Sequence, residues 1–200
     1  MSSRRDFLQA AAAASLLPFA ARETLAAEDV ATVRPWLVVA ETRSAAAAAF
    51  AAEVERWEVP VRAIDGDVTA LWYDELHALW RARPRPIAGL TARAALFCLE
   101  RLAWDHGMRV VYCAEHIRRA DDTFAHVAQM PVRGLDAAEL AAHGDFWPKH
   151  VARVLVRLAA TSAVARGPSV ACMAPPRDDA AVFSWMISPV GGIGPEPRGV

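Results

Sequence analysis

Apolar and polar positions fall into alternating blocks along the first half of the chain. WLVVAE (36–41) is a short unbroken apolar run that predicts a buried strand, and SAAAAAFAAEVERWE (44–58) predicts a helix with Ser44 as its cap. VRAI (61–64) is again strand-like. VTALWYDELHALWRA (68–82) carries Leu71, Trp72, Leu76, Leu79 and Trp80 at helical spacing, with Asp74, Glu75 and Arg81 outside the stripe. PIAGL (86–90) predicts a third strand and TARAALFCLERLAWDHG (91–107) a third helix, with Thr91 to cap it and Gly107 to stop it. MRVVYCAE (108–115) is a fourth strand without alternation, as a strand covered on both faces requires.

The second half is less regular. DDTFAHVAQ (121–129) and DAAELAAH (136–143) predict short helices. FWPKHVARVLVRLAATSAVA (146–165) predicts a longer one, with Asp145 at its start, Gly167 past its end and Pro148 tolerated in its first turn. SVACMA (169–174) and AVFSWMI (181–187), joined by PPRDD, predict an antiparallel hairpin at a sheet edge. Strand and helix alternating with short connections predicts an α/β fold. Its expected form is a three-layer, mostly parallel sheet with helices on both faces and the C-terminal hairpin at one edge.

The first 27 residues change where this domain is expected to work. Arg4 and Arg5 precede an apolar run from 10 to 21 and small residues at Ala26 and Ala27, the three parts of an export signal. Ser3, Arg4, Arg5, Phe7 and Leu8 resemble the twin-arginine (Tat) pattern S/T-R-R-x-F-L-K. That resemblance implies export of a folded passenger by the Tat machinery, to the periplasm or beyond. The run is shorter than the ~20 residues that span a bilayer, so cleavage without stable membrane insertion is expected. The expected organisation is a signal peptide over 1–27, one domain over 28–190 and a Gly/Pro-rich loose tail over 191–200.

Charge and cysteine content narrow the partners. Taking Arg4, Arg5, Arg22, Asp6 and Glu23 from the totals of 22 basic and 23 acidic residues leaves 19 against 21, without the basic excess of a nucleic-acid binder. Cys98, Cys113 and Cys172 allow one disulfide and leave one thiol; their apolar surroundings predict buried cysteines packing as small hydrophobes.

Strands of a parallel α/β sheet open their C-terminal ends on one edge, beside helix N-termini, where ligands bind. Glu41, Asp65, Asp67, Thr91, Glu115 and His116 all follow or end predicted strands, which makes them the candidate site. Glu41, Thr91, Glu115 and His116 are expected to bind ligand, and Asp65, Glu115 and His116 form a carboxylate–imidazole set suited to a divalent metal. The stretch VRAIDGDV resembles the first motif of the haloacid-dehalogenase phosphatases. That resemblance implies Asp65 as nucleophile, Asp67 as acid/base, Mg2+ as cofactor, Thr91 as the second motif and Asp121 with Asp122 as an acidic metal-binding pair. By local chemistry alone, Asp65 and Gly66 make a turn and Asp67 caps the following helix. Three functions are therefore open. The chain is a small-ligand binder or accessory to a co-exported enzyme, a metal-dependent phosphatase-like hydrolase, or a small subunit of an exported redox complex.

Overall fold

The computed structural model describes residues 34–130, 132–158 and 181–189. The expected export signal over 1–27, the run SVACMA and the expected loose tail over 191–200 lie outside these residues. Among the described residues no helix is long and apolar enough to cross a membrane.

The elements in chain order are β1 (Leu37–Glu41), α1 (Ala45–Glu55), β2 (Val61–Ile64), α2 (Thr69–Leu71), a π-helical turn (Trp72–Leu76), α3 (His77–Ala82), β3 (Ile87–Ala92), α4 (Arg93–Trp104), β4 (Met108–Arg118), β5 (Phe124–Met130), α5 (Ala137–Ala142), a 3-10 turn (Gly144–Phe146), α6 (Trp147–Leu155) and β6 (Val182–Pro189). Ser44 caps α1 as expected, its Oγ accepting the Ala47 N–H at 3.3 Å. Gly107 lies after α4 at φ +67, a left-handed conformation that favours glycine. Thr91 does not cap α4. It belongs to β3, and Ala92 occupies the cap position without a side-chain bond.

The six strands form one mixed sheet in the order β2-β1-β3-β6-β4-β5. Only β1 pairs in parallel, with β2 and with β3; the contacts of β3 with β6, β6 with β4 and β4 with β5 are antiparallel. This corrects the expected mostly parallel sheet. It also corrects the placement of the C-terminal strand: β6 is central, inserted between β3 and β4, and buried along nearly its whole length. The run VFSWMI, apolar except for Ser184, suits a strand covered on both faces better than an edge. The edge hairpin is instead β4–β5, and FAHVAQM is a strand where a helix was expected. Pairing with β4 across the Arg119–Thr123 turn overrides its weak local preference.

Two antiparallel steps restore direction, so β4 runs the same way as β1, β2 and β3. Four C-terminal strand ends therefore share one edge with the start of β6. One hydrophobic cluster joins Leu37, Val39, Ile87 and Trp185 of the sheet to Leu71, Leu76, Trp80, Leu96 and Leu99. The other joins Val38, Ala88, Leu90 and Tyr112 to Phe50, Val54, Leu140, Trp147, Val151 and Leu155. Alternation along β1 assigns its residues to the two clusters in turn. Each fully buried side chain of this kind contributes about 1.5–3 kcal/mol.

Candidate functional site

A pocket of about 650 Å3 opens at the shared strand edge. Glu41 comes to it from the end of β1, Ala92 from β3, Arg118 from β4, and Ala181 and Val182 from the start of β6. The first turn of α1 forms a wall with Ser44, Ala45 and Ala46, and Phe124, Trp147 and Pro148 supply apolar surface. Alanines leave that wall low enough for a ligand to approach the backbone.

Glu41 is the least satisfied polar group there. Its side chain is 4 % exposed, and neither carboxylate oxygen has a hydrogen-bond partner. Its ion-pair contact is Arg43 Nε, 3.6 Å from Oε1, and that guanidinium lies closer to Asp65, with Nε 2.6 Å from Oδ1. A buried carboxylate without hydrogen bonds is costly and marks a place where a further donor belongs. Arg43 also stands over Gly66, whose φ of +75 favours glycine in the turn after β2.

The other expected site residues are placed separately. Asp65 is exposed and paired with Arg43. Asp67 stands one residue before the cap position, which Val68 occupies without a side-chain bond; its Oδ1 accepts the Thr69 N–H at 2.8 Å, and hydrogen bonds from Thr69 hold its carboxyl below the usual range. Thr91 is fully buried, accepting from Trp185 Nε1 at 3.0 Å and donating to the Ala92 carbonyl at 3.1 Å. Asp121 takes the Thr123 N–H and hydroxyl, and Asp122 pairs with Arg118 at 3.0 Å. Glu115 and His116 are buried neighbours on β4 and so point to opposite faces of the sheet. Among the described residues no three His, Cys, Asp or Glu side chains gather as metal ligands. Asp65, Glu115 and His116 are accordingly not brought together.

His116 instead belongs to a polar chain inside the sheet face. Tyr112 Oη lies 2.8 Å from Ser184 Oγ, Ser184 Oγ 2.7 Å from His116 Nε2, and His116 Nδ1 2.7 Å from His126 Nδ1. Burial, reinforced by His126, holds His116 well below the ordinary histidine value, so it is neutral and carries one N–H. The direction that uses every proton runs from Tyr112 to Ser184, from Ser184 to His116, and from His116 Nδ1–H to His126 Nδ1. The reverse direction leaves the Tyr112 hydroxyl proton without an acceptor in the chain. Burial also pushes the Tyr112 phenol above its ordinary value and the His126 imidazole down to about 4.

Trp147 links this chain to the pocket. Its ring stacks on His116 at 4.0 Å between centroids and meets His126 edge-on at 5.3 Å, while the same residue lines the pocket. Sequence reasoning missed Tyr112, Ser184 and Trp147. A signal was present: a hydroxyl in the middle of VVYCAE and another in VFSWMI, both inside otherwise apolar strands. The expectation of buried cysteines holds for Cys113, which lies in the core, and is corrected for Cys98. Cys113 is disulfide-bonded, and Cys98 is exposed with a free thiol because it sits on the outer side of α4.

No family model, curated protein or solved structure matches the chain.

Proposed function

We propose that this chain is an exported α/β protein that binds a small ligand at the shared strand edge, alone or in the service of a co-exported enzyme. The observation that carries the reading is Glu41, a buried carboxylate without hydrogen bonds at the margin of a 650 Å3 pocket. Pockets of this size accommodate small organic molecules, and polar groups converging on an apolar wall give such sites their specificity. We infer a three-layer arrangement, with α1, α5 and α6 on one side of the sheet and α2, α3 and α4 on the other. Helices on both sides leave the strand edge as the natural opening. The Tat resemblance of Ser3, Arg4, Arg5, Phe7 and Leu8 supports export of the domain already folded.

The test is isolation of the protein from its native compartment under non-denaturing conditions, with mass spectrometry of what the pocket releases on unfolding. A stoichiometric small molecule, lost when Ala45 or Ala46 is enlarged to Trp, is expected. Absence of any retained molecule, together with no thermal shift across a broad metabolite panel, would sink the reading.

A further inference from the structure

The hydrogen-bond chain beneath Trp147 has two directions open to it, and the protonation of His126 selects between them. With His126 neutral the chain runs from the core outward. Tyr112 donates to Ser184 Oγ at 2.8 Å, Ser184 to His116 Nε2 at 2.7 Å, and His116 Nδ1–H to His126 Nδ1 at 2.7 Å. Every proton is then used, and His126 carries its own on Nε2. Tyr112, Ser184 and His116 are fully buried, whereas His126 lies on the edge strand β5 and is partly exposed. Exchange of a proton with water therefore falls to the His126 end.

A proton added to neutral His126 goes to Nδ1, because Nε2 is already occupied. Two N–H groups would then face each other across 2.7 Å. The contact survives only if His116 carries its proton on Nε2 instead of Nδ1. Ser184 Oγ then accepts from His116 and turns its own proton to Tyr112 Oη, and the Tyr112 hydroxyl proton is left without an acceptor in the chain. The chain gains one proton, taken from water, and only N–H and O–H bonds change. Stranding the phenol proton in the core opposes the reversal. Burial and the charge of Arg119 oppose it further, holding His126 down at about 4.

The charged groups on the elements around the pair have their own partners. On β4 and its turn, Arg118 is held by Asp122. On α5, Asp136 and Glu139 are engaged in the capping box. On α6, His150 bonds the Gly134 carbonyl and stacks on His143, Arg153 holds Glu53, and Lys149 lies over the Phe146 ring. The pocket wall, by contrast, rests directly on the imidazoles. Trp147 stacks on His116 at 4.0 Å between centroids and meets His126 at 5.3 Å, and Phe124 lies nearly parallel to His126 at 6.5 Å. Both rings line the pocket. We propose that the Tyr112–Ser184–His116–His126 chain is a proton-operated switch, in which uptake of one proton at His126 reverses the chain and is felt through Trp147 and Phe124 at the pocket wall. The switch goes beyond the small-ligand reading and stands without it.

The test is a nitrogen-15 NMR titration of the imidazoles in the full chain, from about pH 7 to about pH 3.5, in concentrated sucrose to support the fold. At neutral pH the proton of His116 should be on Nδ1. As His126 takes up its proton, His116 should stay uncharged and exchange Nδ1–H for Nε2–H. The indole N–H of Trp147 should shift with the same midpoint. His126→Gln keeps an acceptor for His116 Nδ1–H but takes up no proton, so it should abolish both the exchange and the Trp147 shift while the amide spectrum stays dispersed. His116 holding Nδ1–H throughout the His126 titration, or already carrying Nε2–H at neutral pH, would overturn the proposal. So would a Trp147 shift that persists in His126→Gln. Loss of the fold before the His116 proton changes place would also overturn it, because the reversed chain would then not be a state of the folded protein.

Discussion

Substituting the two hydroxyls that feed His116 gives a sharp test of the buried chain, because the effects should change sign with context. Tyr112→Phe alone removes one donor to Ser184 Oγ, whose own proton still goes to His116 Nε2 at 2.7 Å. The cost is that of one ordinary buried hydrogen bond, about 1 kcal/mol. Ser184→Ala leaves two fully buried groups stranded at once, the Tyr112 hydroxyl and His116 Nε2. At about 1–3 kcal/mol for each orphaned group, with partial relaxation, the loss should be about 2–4 kcal/mol. Adding Tyr112→Phe to Ser184→Ala then removes one of the two orphans. The double variant should be as stable as Ser184→Ala or more stable by about 1 kcal/mol, a coupling that a double-mutant cycle measures directly. Urea unfolding followed by tryptophan fluorescence at pH 7 supplies all four stabilities. If Tyr112→Phe costs the same in both backgrounds, the three groups do not act as one chain, and the proton directions assigned here are wrong.

Other expectations follow from the same packing. His126 is neutral in the fold with a value near 4 against an unfolded value near 6.5, so its contribution is complete above about pH 6.5 and is lost as pH falls through 4. Full linkage would give about 3 kcal/mol, and since the ring is only partly buried, solvent screening brings this to about 1–2 kcal/mol. The urea midpoint should fall over that window, and by less in His126→Asn; a midpoint equal at pH 7 and pH 4 would contradict the burial of the pair. Gly89→Ala should cost about 3 kcal/mol or prevent folding, because its Cβ would meet Trp185 Cζ2 at 2.4 Å and the Val39 carbonyl at 2.7 Å in the middle of the sheet. A variant with wild-type melting temperature would refute that close approach. Peptide mapping without reduction should recover Cys113 in a disulfide, and iodoacetamide should label Cys98 in the native protein. Labelling of Cys113 instead would reverse the assignment.

Much of the local structure follows from composition and periodicity. The runs LVVAE, VRAI and IAGLTA are apolar, short and bounded by turn residues, so each becomes a strand wherever it is paired. Ser44 is a cap because a hydroxyl before an alanine-rich helix has an orphan amide to satisfy. Sequence order alone also places Glu41 at the end of a strand, where an α/β sheet presents its ligand edge. FAHVAQM was opaque for the opposite reason: its residues lack a decided preference, and the neighbouring strand β4 decides for them.

Strand direction and neighbours are tertiary matters, because the period of two that marks a strand is the same for parallel and antiparallel pairing. Nothing local in VFSWMI says that it lies between β3 and β4. The insertion brings Ser184 to His116, 68 residues away, and Trp185 to Thr91, 94 residues away. The same insertion turns His116 from a strand-end candidate into the middle of a buried hydrogen-bond chain, and Thr91 from a helix cap into a partner for an indole. The sequence by itself therefore determined most of the elements and which polar residues end the strands. Only the tertiary structure decided which of the polar residues near that edge are consumed by their neighbours. Glu41 is left with two oxygens unbonded, because hydrogen-bond satisfaction depends on distances across the sheet that no local pattern encodes.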